Sequence, residues 1–257
     1  MFASLLVAGL ALLQSGEIQK QPTAAAQLNY AKKVKGEARG TKGAGRIQAL
    51  DRAILAYEAV ANYWPDGGAI LGEAAFRRGE IQRTLGRSGL ARGAFQEAFD
   101  GGKGTVYASR ALLELGHLHR RAGEFGQALK EYQKVAGLPN VRLRYLNDSR
   151  EWIGKVEFKL GEWEKAAQAF AAWAANAESP VEVVRAADLE AQALLGAGKI
   201  DQADARIEKV RLDLGPLATE PTKEGAQLQK ALERMKSPEL IQLARAAKAA
   251  STAPATS

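Results

Sequence analysis

Cysteine is absent from this chain of 257 residues, and histidine occurs only twice. Without a thiol, the protein forms no disulfide, has no thiolate nucleophile and offers no cysteine ligand to a metal. Two imidazoles are also too few for most zinc sites, which draw several ligands from the protein. His117 and His119 are two positions apart on a predicted helix, so their side chains leave it on nearly opposite faces. We therefore expect neither a metal nor a cofactor.

The chain also lacks an uninterrupted apolar run long enough to cross a membrane. Its N-terminal apolar segment, Ala3–Leu13, instead has the length of the central region of a signal peptide. Small residues permit cleavage near Ser15 or within 24–26, so we predict a signal peptide over 1–26 and export to the periplasm or the cell exterior. No Lys or Arg precedes the segment, which leaves a cytoplasmic protein with a packed N-terminal helix as the alternative. A lipid anchor is excluded because no cysteine follows the segment.

Negative charge is in shorter supply than positive charge. The chain has 36 Lys and Arg against 29 Asp and Glu, a formal charge of +7, and most of the excess precedes residue 50. A basic bias attracts RNA, anionic lipid or other anionic polymers, and the Gly-rich residues 32–46 are the candidate segment. No aromatic side chain is interleaved there to stack on bases, which favours a solvated linker.

A helical hairpin recurs along the chain. In residues 115–139, LGHLHRRAGEFGQALKEYQKVAGLP, an apolar helix runs to Gly123 and a second helix follows it up to Pro139. One hairpin cannot bury its apolar face alone, so recurrence predicts a stacked array. The turn glycines of the array are 37, 38 and 37 residues apart. The four matching sets are Gly86, Ala91, Phe95, Ala98; Gly123, Ala128, Tyr132, Val135; Gly161, Ala166, Phe170, Trp173; and Gly198, Ala203, Ile207, Val210.

The small and aromatic residues of the pattern have packing roles. Glycines of the first helices, such as Gly79 and Gly154, allow the paired helix to approach closely. We expect Phe95, Tyr132 and Phe170 of the second helices to fill the gap towards the next hairpin. Each turn glycine suits a left-handed C-cap, where a side chain would cost energy.

The helix boundaries are predicted from capping and breaking residues. A helix begins near Leu146 with Asn147 or Asp148 as its N-cap. Pro216 and Pro221 bracket a linker, and a flexible loop covers 41–46. The predicted domains are a signal peptide (1–26), a basic Gly-rich linker or degenerate first helix (27–46), the hairpin array (47–212), C-terminal capping helices (213–250) and a disordered tail (251–257).

The pattern LG-x(6)-G-x-F-x(2)-A-x(3)-Y followed by a proline resembles the tetratricopeptide repeat (TPR), over residues 47–212. This resemblance implies an all-α fold, a right-handed α-solenoid of helix-turn-helix hairpins with terminal capping helices. Together with NYWPDGGAILGEAAFRRGE at residues 62–80, it is also similar to the TPR modules of bacterial periplasmic and outer-membrane assembly factors.

The resemblance further implies that the first helices line a concave groove that holds a partner peptide. We predict that this groove is basic and favours an acidic segment or a C-terminal carboxylate, an ordinary solvated face being the alternative. The Lys and Asn arrangement with which some family members hold a C-terminal dicarboxylate is not present. The candidate groove residues are Arg83, Arg110, His117, Arg120, Arg121, Lys155 and Lys159.

No catalytic set of residues is evident in the sequence. The GGKGT turn at 101–105 lacks the spacing and the preceding strand of a phosphate-binding loop. We therefore predict a non-enzymatic scaffold that binds a protein segment and organises an assembly at the cell envelope. The alternatives are a cytosolic adaptor with the same groove, and a basic binder of RNA or anionic envelope polymer through residues 32–46.

Overall fold

The computed structural model describes residues 18–252, and the regular secondary structure of this part of the chain is entirely α-helical. The predicted all-α class is therefore confirmed. The helices are α1 (Ala24–Glu37), α2 (Gly43–Tyr63), α3 (Ala69–Thr84), α4 (Ser88–Gly101), α5 (Val106–Arg121), α6 (Phe125–Ala136), α7 (Leu143–Leu160), α8 (Trp163–Ala174), α9 (Pro180–Gly196), α10 (Ile200–Ala218), α11 (Lys223–Glu233) and α12 (Ser237–Thr252).

Helices pack on their neighbours along the chain, within two compact units. Unit 1 ends at Leu118 and unit 2 begins at His119. In unit 1, α1 packs on α2, α2 on α3 and α3 on α4. In unit 2, helices α6 to α10 pack in the same sequential way, and α11 and α12 contact α9 and α10. Packing between sequence neighbours is what an array of hairpins requires.

All four turn glycines have left-handed backbones, as predicted. Their φ angles lie between 74° and 80°. At Gly86 the following amide, of Arg87, donates to the carbonyl oxygen of Gln82 at 2.9 Å, and the Gly86 amide donates to Arg83 at 3.0 Å. The same pair of hydrogen bonds closes the other three turns, which is the Schellman arrangement.

Two of the glycines in first helices make room for an aromatic ring of the same hairpin. A Cβ atom on Gly79 would lie 2.7 Å from Phe95 Cε1, and one on Gly154 would lie 2.6 Å from Phe170 Cε1. Both rings are fully buried. Each glycine thus leaves a hollow for the ring within the hairpin. Phe170 also packs in one buried cluster with Ala186 and Ala193 of α9, which agrees with the expectation that it packs towards the next hairpin. Tyr132 does contact the following hairpin.

The first hairpin begins earlier than residue 47, because α1 supplies its first helix. Thr23 caps α1 by accepting from the Ala26 amide at 3.1 Å. Upstream of the cap, Ile18 is buried and its carbonyl oxygen accepts from the Tyr63 hydroxyl at 2.8 Å. Residues 18–26 of the predicted signal peptide thus belong to the packed structure, whereas 1–17 lie outside the described residues.

Two helices start earlier than their sequences suggest. Helix α2 begins at Gly43, inside the predicted loop 41–46, because a helix that is anchored by its apolar residues extends backwards at one hydrogen bond per residue. Helix α7 begins at Leu143, which places Asn147 in its interior. The Asn147 amide is buried and donates to the carbonyl oxygen of Asn176 at 2.7 Å, so it makes a tertiary contact rather than a cap.

The C-terminal helices α11 and α12 lie where they were predicted, but the linker before them is shorter. Helix α10 continues through Pro216 to Ala218. A proline late in a helix removes a single hydrogen bond, here to the carbonyl of Leu212, whose side chain is 78% exposed. Asp188 of α9 receives hydrogen bonds from the Ser237 amide and hydroxyl, at 2.9 and 2.6 Å, and so fixes the start of α12. Residues 253–257 of the predicted tail lie outside the described part.

Candidate protein-binding surfaces

The turn glycines place the first helices of successive hairpins in a common register. Arg83 in α3 and Arg120 in α5 both lie three positions before their glycine. Glu114 in α5 and Trp152 in α7 both lie nine positions before theirs. Equivalent positions in the two units are therefore directly comparable.

In unit 1, the arginines predicted for the groove pair with carboxylates. Arg83 Nη1 donates to both oxygens of Glu114, at 2.7 and 2.5 Å. Arg110 donates to Glu80 at 3.4 Å, and Arg77 donates to the same carboxylate at 3.0 Å. We call these five residues the unit 1 surface. Its positive charge is largely neutralised by the carboxylates within it.

Aromatic rings and further charges surround the unit 1 surface. The Arg110 guanidinium carbon lies 4.2 Å from the centroid of the Phe76 ring, a cation–π distance. Burial by itself raises the pKa of Glu73, but hydrogen bonds from Lys32 and Tyr107 outweigh it and hold that pKa below its ordinary value of 4.5. Glu73 is therefore ionised at neutral pH and adds to the neutralisation.

In unit 2, the predicted cations meet an indole. The Arg120 guanidinium carbon lies 4.5 Å from the Trp152 ring centroid, and Lys155 Nζ lies 4.6 Å from it. The Trp152 ring is half-buried and stacks on Tyr132, with centroids 6.4 Å apart. The ring thus packs on Tyr132 and lies close to two cations.

A carboxylate of α7 pairs with two cations near the Trp152 ring. Glu151 accepts a hydrogen bond from Lys155 and another, at 3.2 Å, from Arg185 of α9. Arg185 is also 5.3 Å from the Trp173 ring. We call Arg120, Glu151, Trp152, Lys155 and Arg185 the unit 2 surface. These five residues include three cations and one carboxylate, which pairs with two of the cations, so the set carries an excess of positive charge.

The remaining residues predicted for the groove lie at other positions on these helices. Arg121 is exposed at the end of α5, and Lys159 Nζ lies 5.7 Å from the Phe125 ring. His117 is half-buried in α5. His119 forms a hydrogen bond through Nδ1 with Glu124. Among the predicted residues, Arg120 and Lys155 both lie within 5 Å of the centroid of one ring, that of Trp152.

Sequence reasoning missed Trp152 and the carboxylates. Trp152 occupies the register position of Glu114, and that comparison could have identified it as an aromatic side chain on a face that is charged elsewhere. The pairing of Glu80 and Glu114 with arginines depends on the distance between helices, which no single helix encodes.

Other kinds of site find no support in the described part of the chain. Between residues 18 and 252, no three or more His, Asp or Glu side chains are grouped to hold a metal ion. Over the same residues, no helix combines the length and apolarity that a membrane crossing demands.

Comparisons with known proteins bear on the fold. No protein-family model matches this chain, and no curated protein matches its sequence significantly. The crystal structure of MamA protein is similar with a TM-score of 0.55 at 19% identity, over 77% of this chain and 97% of MamA. The TPR-like repeats of a kinesin light chain from Podospora anserina give 0.53 at 13% identity, over 79% and 100%. The apo form of RapI gives 0.57 at 15% identity, over 89% of this chain and 65% of RapI.

The helical hairpins, their left-handed glycine turns and these structural likenesses agree with the repeat pattern of the sequence. Because these sequence identities are 19% or less, the similarities show the fold alone. The chain is therefore built from helical hairpins of the tetratricopeptide-repeat type.

Proposed function

We propose that this protein is a non-enzymatic scaffold that binds a segment of a partner protein through the unit 2 surface. The observation that carries the proposal is the half-buried Trp152 indole between Arg120 and Lys155. Trp and Arg are the side chains that most often dominate the binding energy of protein interfaces. Excess positive charge around the ring favours carboxylates, so the partner segment would present an apolar side chain flanked by acidic ones.

The paired charges of the unit 1 surface make it the weaker candidate. Arg83 and Arg110 already receive carboxylates from neighbouring helices. A partner would have to displace those carboxylates or leave them buried and unpaired, and either outcome lowers affinity. In the unit 2 surface the same cost applies to Lys155 and Arg185, which pair with Glu151, but not to Arg120, whose guanidinium lies over the Trp152 ring.

Affinity purification with matched variants tests the proposal. Wild-type protein and the variants Trp152→Ala, Arg120→Ala and Arg211→Ala would serve as baits in native extracts. Arg211 is exposed on α10 and forms no ion pair with another described residue, so it controls for the loss of one arginine. We expect a partner protein with wild type and Arg211→Ala, and a loss of about tenfold or more with Trp152→Ala.

Circular dichroism of each bait would show whether a loss of binding is caused by a loss of folding. Retention of the partner by both Trp152→Ala and Arg120→Ala would reject the unit 2 surface. Recovery of RNA without any protein partner would reject the scaffold and support the basic binder through residues 32–46.

The proposed place of action is the cell envelope, after export directed by Ala3–Leu13. The early start of the packed structure supports cleavage near Ser15, because cleavage within 24–26 would remove Thr23 and the buried Ile18. N-terminal sequencing of the native protein tests this, and we expect a first residue shortly after Ser15. An intact Met1 would favour the cytosolic adaptor instead.

A further inference from the structure

A basic cleft lies in unit 1 and shares only Arg77 with the unit 1 surface. It has a volume of about 350 Å³ and lies between the end of α1, α2 and α3. Five cationic side chains line it, and no carboxylate does. They are Lys32, Lys35, Arg39, Arg46 and Arg77.

The charge of this cleft is only partly balanced. Glu73 pairs with Lys32 at 2.8 Å, and Glu80 pairs with Arg77 at 3.0 Å. Five cations less these two pairs leave three cations, Lys35, Arg39 and Arg46, that form no ion pair with any described residue. Arg39 and Arg46 are exposed and Lys35 is half-buried, so all three can pair with an anion that enters the cleft.

Two further features make the cleft a receptive site. Gly36 lines it, and a Cβ atom added there would meet nothing within 4 Å, so the space beside this glycine is open. Tyr57 also lines it with a side chain that is 2% exposed, and its hydroxyl makes no hydrogen bond to another residue of the described part. Burial raises the pKa of Tyr57 to about 12, so the hydroxyl keeps its proton and remains a donor.

We propose that this cleft binds a small ligand through one or two phosphate groups. Each phosphate group brings a charge of about −1.5 to −2 at neutral pH, so one or two of them balance three unpaired cations. The forked guanidinium groups of Arg39 and Arg46 match phosphate oxygens in pairs. The volume lies near the lower end for small-molecule sites, and Tyr57 is the one aromatic ring in the lining, which disfavours a nucleic-acid strand.

Calorimetric titration of the full chain with pyrophosphate, at fixed ionic strength, tests the proposal. We expect saturable binding that Lys35→Ala and Arg46→Ala each weaken about tenfold. Lys33→Ala is the matched control, since Lys33 is exposed on the same helix but does not line the cleft. It should change the affinity less than about twofold.

The Gly36→Leu variant distinguishes binding inside the cleft from diffuse electrostatic attraction to the basic surface. The leucine fills the open space without changing the net charge, so we expect it to weaken pyrophosphate binding at least as much as Lys35→Ala does. Absence of binding by wild type, equal losses in Lys33→Ala and Lys35→Ala, or unchanged binding by Gly36→Leu would each overturn the proposal. Circular dichroism would confirm that every variant is helical.

Sedimentation with lipid vesicles would distinguish a lipid headgroup from a soluble phosphorylated compound as the ligand. Phosphatidylcholine vesicles with and without phosphatidic acid would be sedimented with wild type and with Gly36→Leu. Sedimentation that depends on phosphatidic acid and is lost in Gly36→Leu assigns the cleft to a lipid headgroup. Pyrophosphate binding without sedimentation assigns it to a soluble phosphorylated compound. Displacement of pyrophosphate by polyglutamate at equal charge concentration would instead show a site for acidic peptides and overturn the proposal.

Discussion

Arg83 in unit 1 and Arg120 in unit 2 hold the same position in their hairpins, yet they meet different partners. Arg83 forms an ion pair with Glu114 of α5. Arg120 lies over the ring of Trp152, which occupies in α7 the position that Glu114 occupies in α5. One exchange of glutamate for tryptophan thus converts a neutralised pair into an aromatic surface with excess charge. The comparison teaches that the hairpin scaffold leaves these positions free to vary.

The scaffold beneath the two surfaces is the same. Gly79 lies under Phe95 in unit 1, and Gly154 lies under Phe170 in unit 2, with closely similar spacing. The turn glycines of both units share one backbone conformation. Packing residues are therefore repeated, while the residues that distinguish the surfaces are not.

The largest expected effect tests whether the scaffold is shared. Gly79→Ala and Gly154→Ala each place a methyl group within 3 Å of a buried ring, and we expect each to lower the free energy of unfolding by about 3 kcal/mol. Urea denaturation measures this. Gly93→Ala is the control, because a Cβ there meets nothing within 4 Å and should stabilise α4 by about 0.5 to 1 kcal/mol. A large loss of stability in only one of the two variants would show that the two hairpins do not pack equivalently.

The next effect concerns the ring itself. Trp152→Ala should cost about 2 kcal/mol, since the half-buried indole loses its contacts with Tyr132 and the cations. The equivalent change in unit 1, Glu114→Ala, should cost about 1 kcal/mol, because it removes one partly exposed ion pair. Thermal and urea unfolding of both variants would compare them. Equal losses would mean that the two positions are not energetically distinct.

A transplant of the unit 1 pair into unit 2 sharpens the comparison. Trp152→Glu recreates next to Arg120 the partner that Arg83 has, and Trp152→Gln is its uncharged control. We expect Trp152→Glu to be more stable than Trp152→Gln by about 0.5 to 1 kcal/mol at low salt. This advantage should shrink in 1 M NaCl, where exposed charges are screened. An advantage that does not respond to salt would argue against an ion pair.

The smallest effects depend on pH and have opposite signs in the two units. The lowered pKa of Glu73 in unit 1 contributes stability that is present above the unfolded value of about 4.5 and is lost as pH falls through the folded value. Burial raises the pKa of Glu157 in unit 2, so its ionised form costs stability at neutral pH, and protonation relieves that cost. Glu73→Gln should therefore lower Tm at pH 7, and Glu157→Gln should raise it.

The Glu157→Gln difference should vanish well below pH 4.5, where that carboxyl group is protonated in both states, and the Glu73→Gln difference should shrink as pH falls below 4.5 towards the lowered folded pKa. Differential scanning calorimetry of the two variants and wild type at pH 7 and pH 3.5 would show this. A Glu157→Gln variant that is less stable than wild type at pH 7 would contradict the assigned cause.

The sequence alone determined the parts of this protein that repeat. The spacing of glycine, alanine and aromatic residues predicted the hairpins, the left-handed turns and the all-α class, because these depend on local backbone preference and on helical periodicity. It placed α11 and α12 correctly for the same reason. It also identified Arg83, Arg110, Arg120 and Lys155 as charged positions on first helices.

Only the tertiary structure decided what those charges meet. Whether Arg83 faces Glu114, whether Arg120 covers Trp152 and whether Lys35 and Arg46 line one cleft all depend on residues roughly ten to forty positions apart in the chain and on how closely their helices approach. The same holds for the start of α2 inside a Gly-rich segment, where helix propagation overrode the local preference for a loop. The energies of electrostatic and ring contacts fall off over a few ångströms. The distances between these groups are set by packing between helices rather than by the order of residues within one helix.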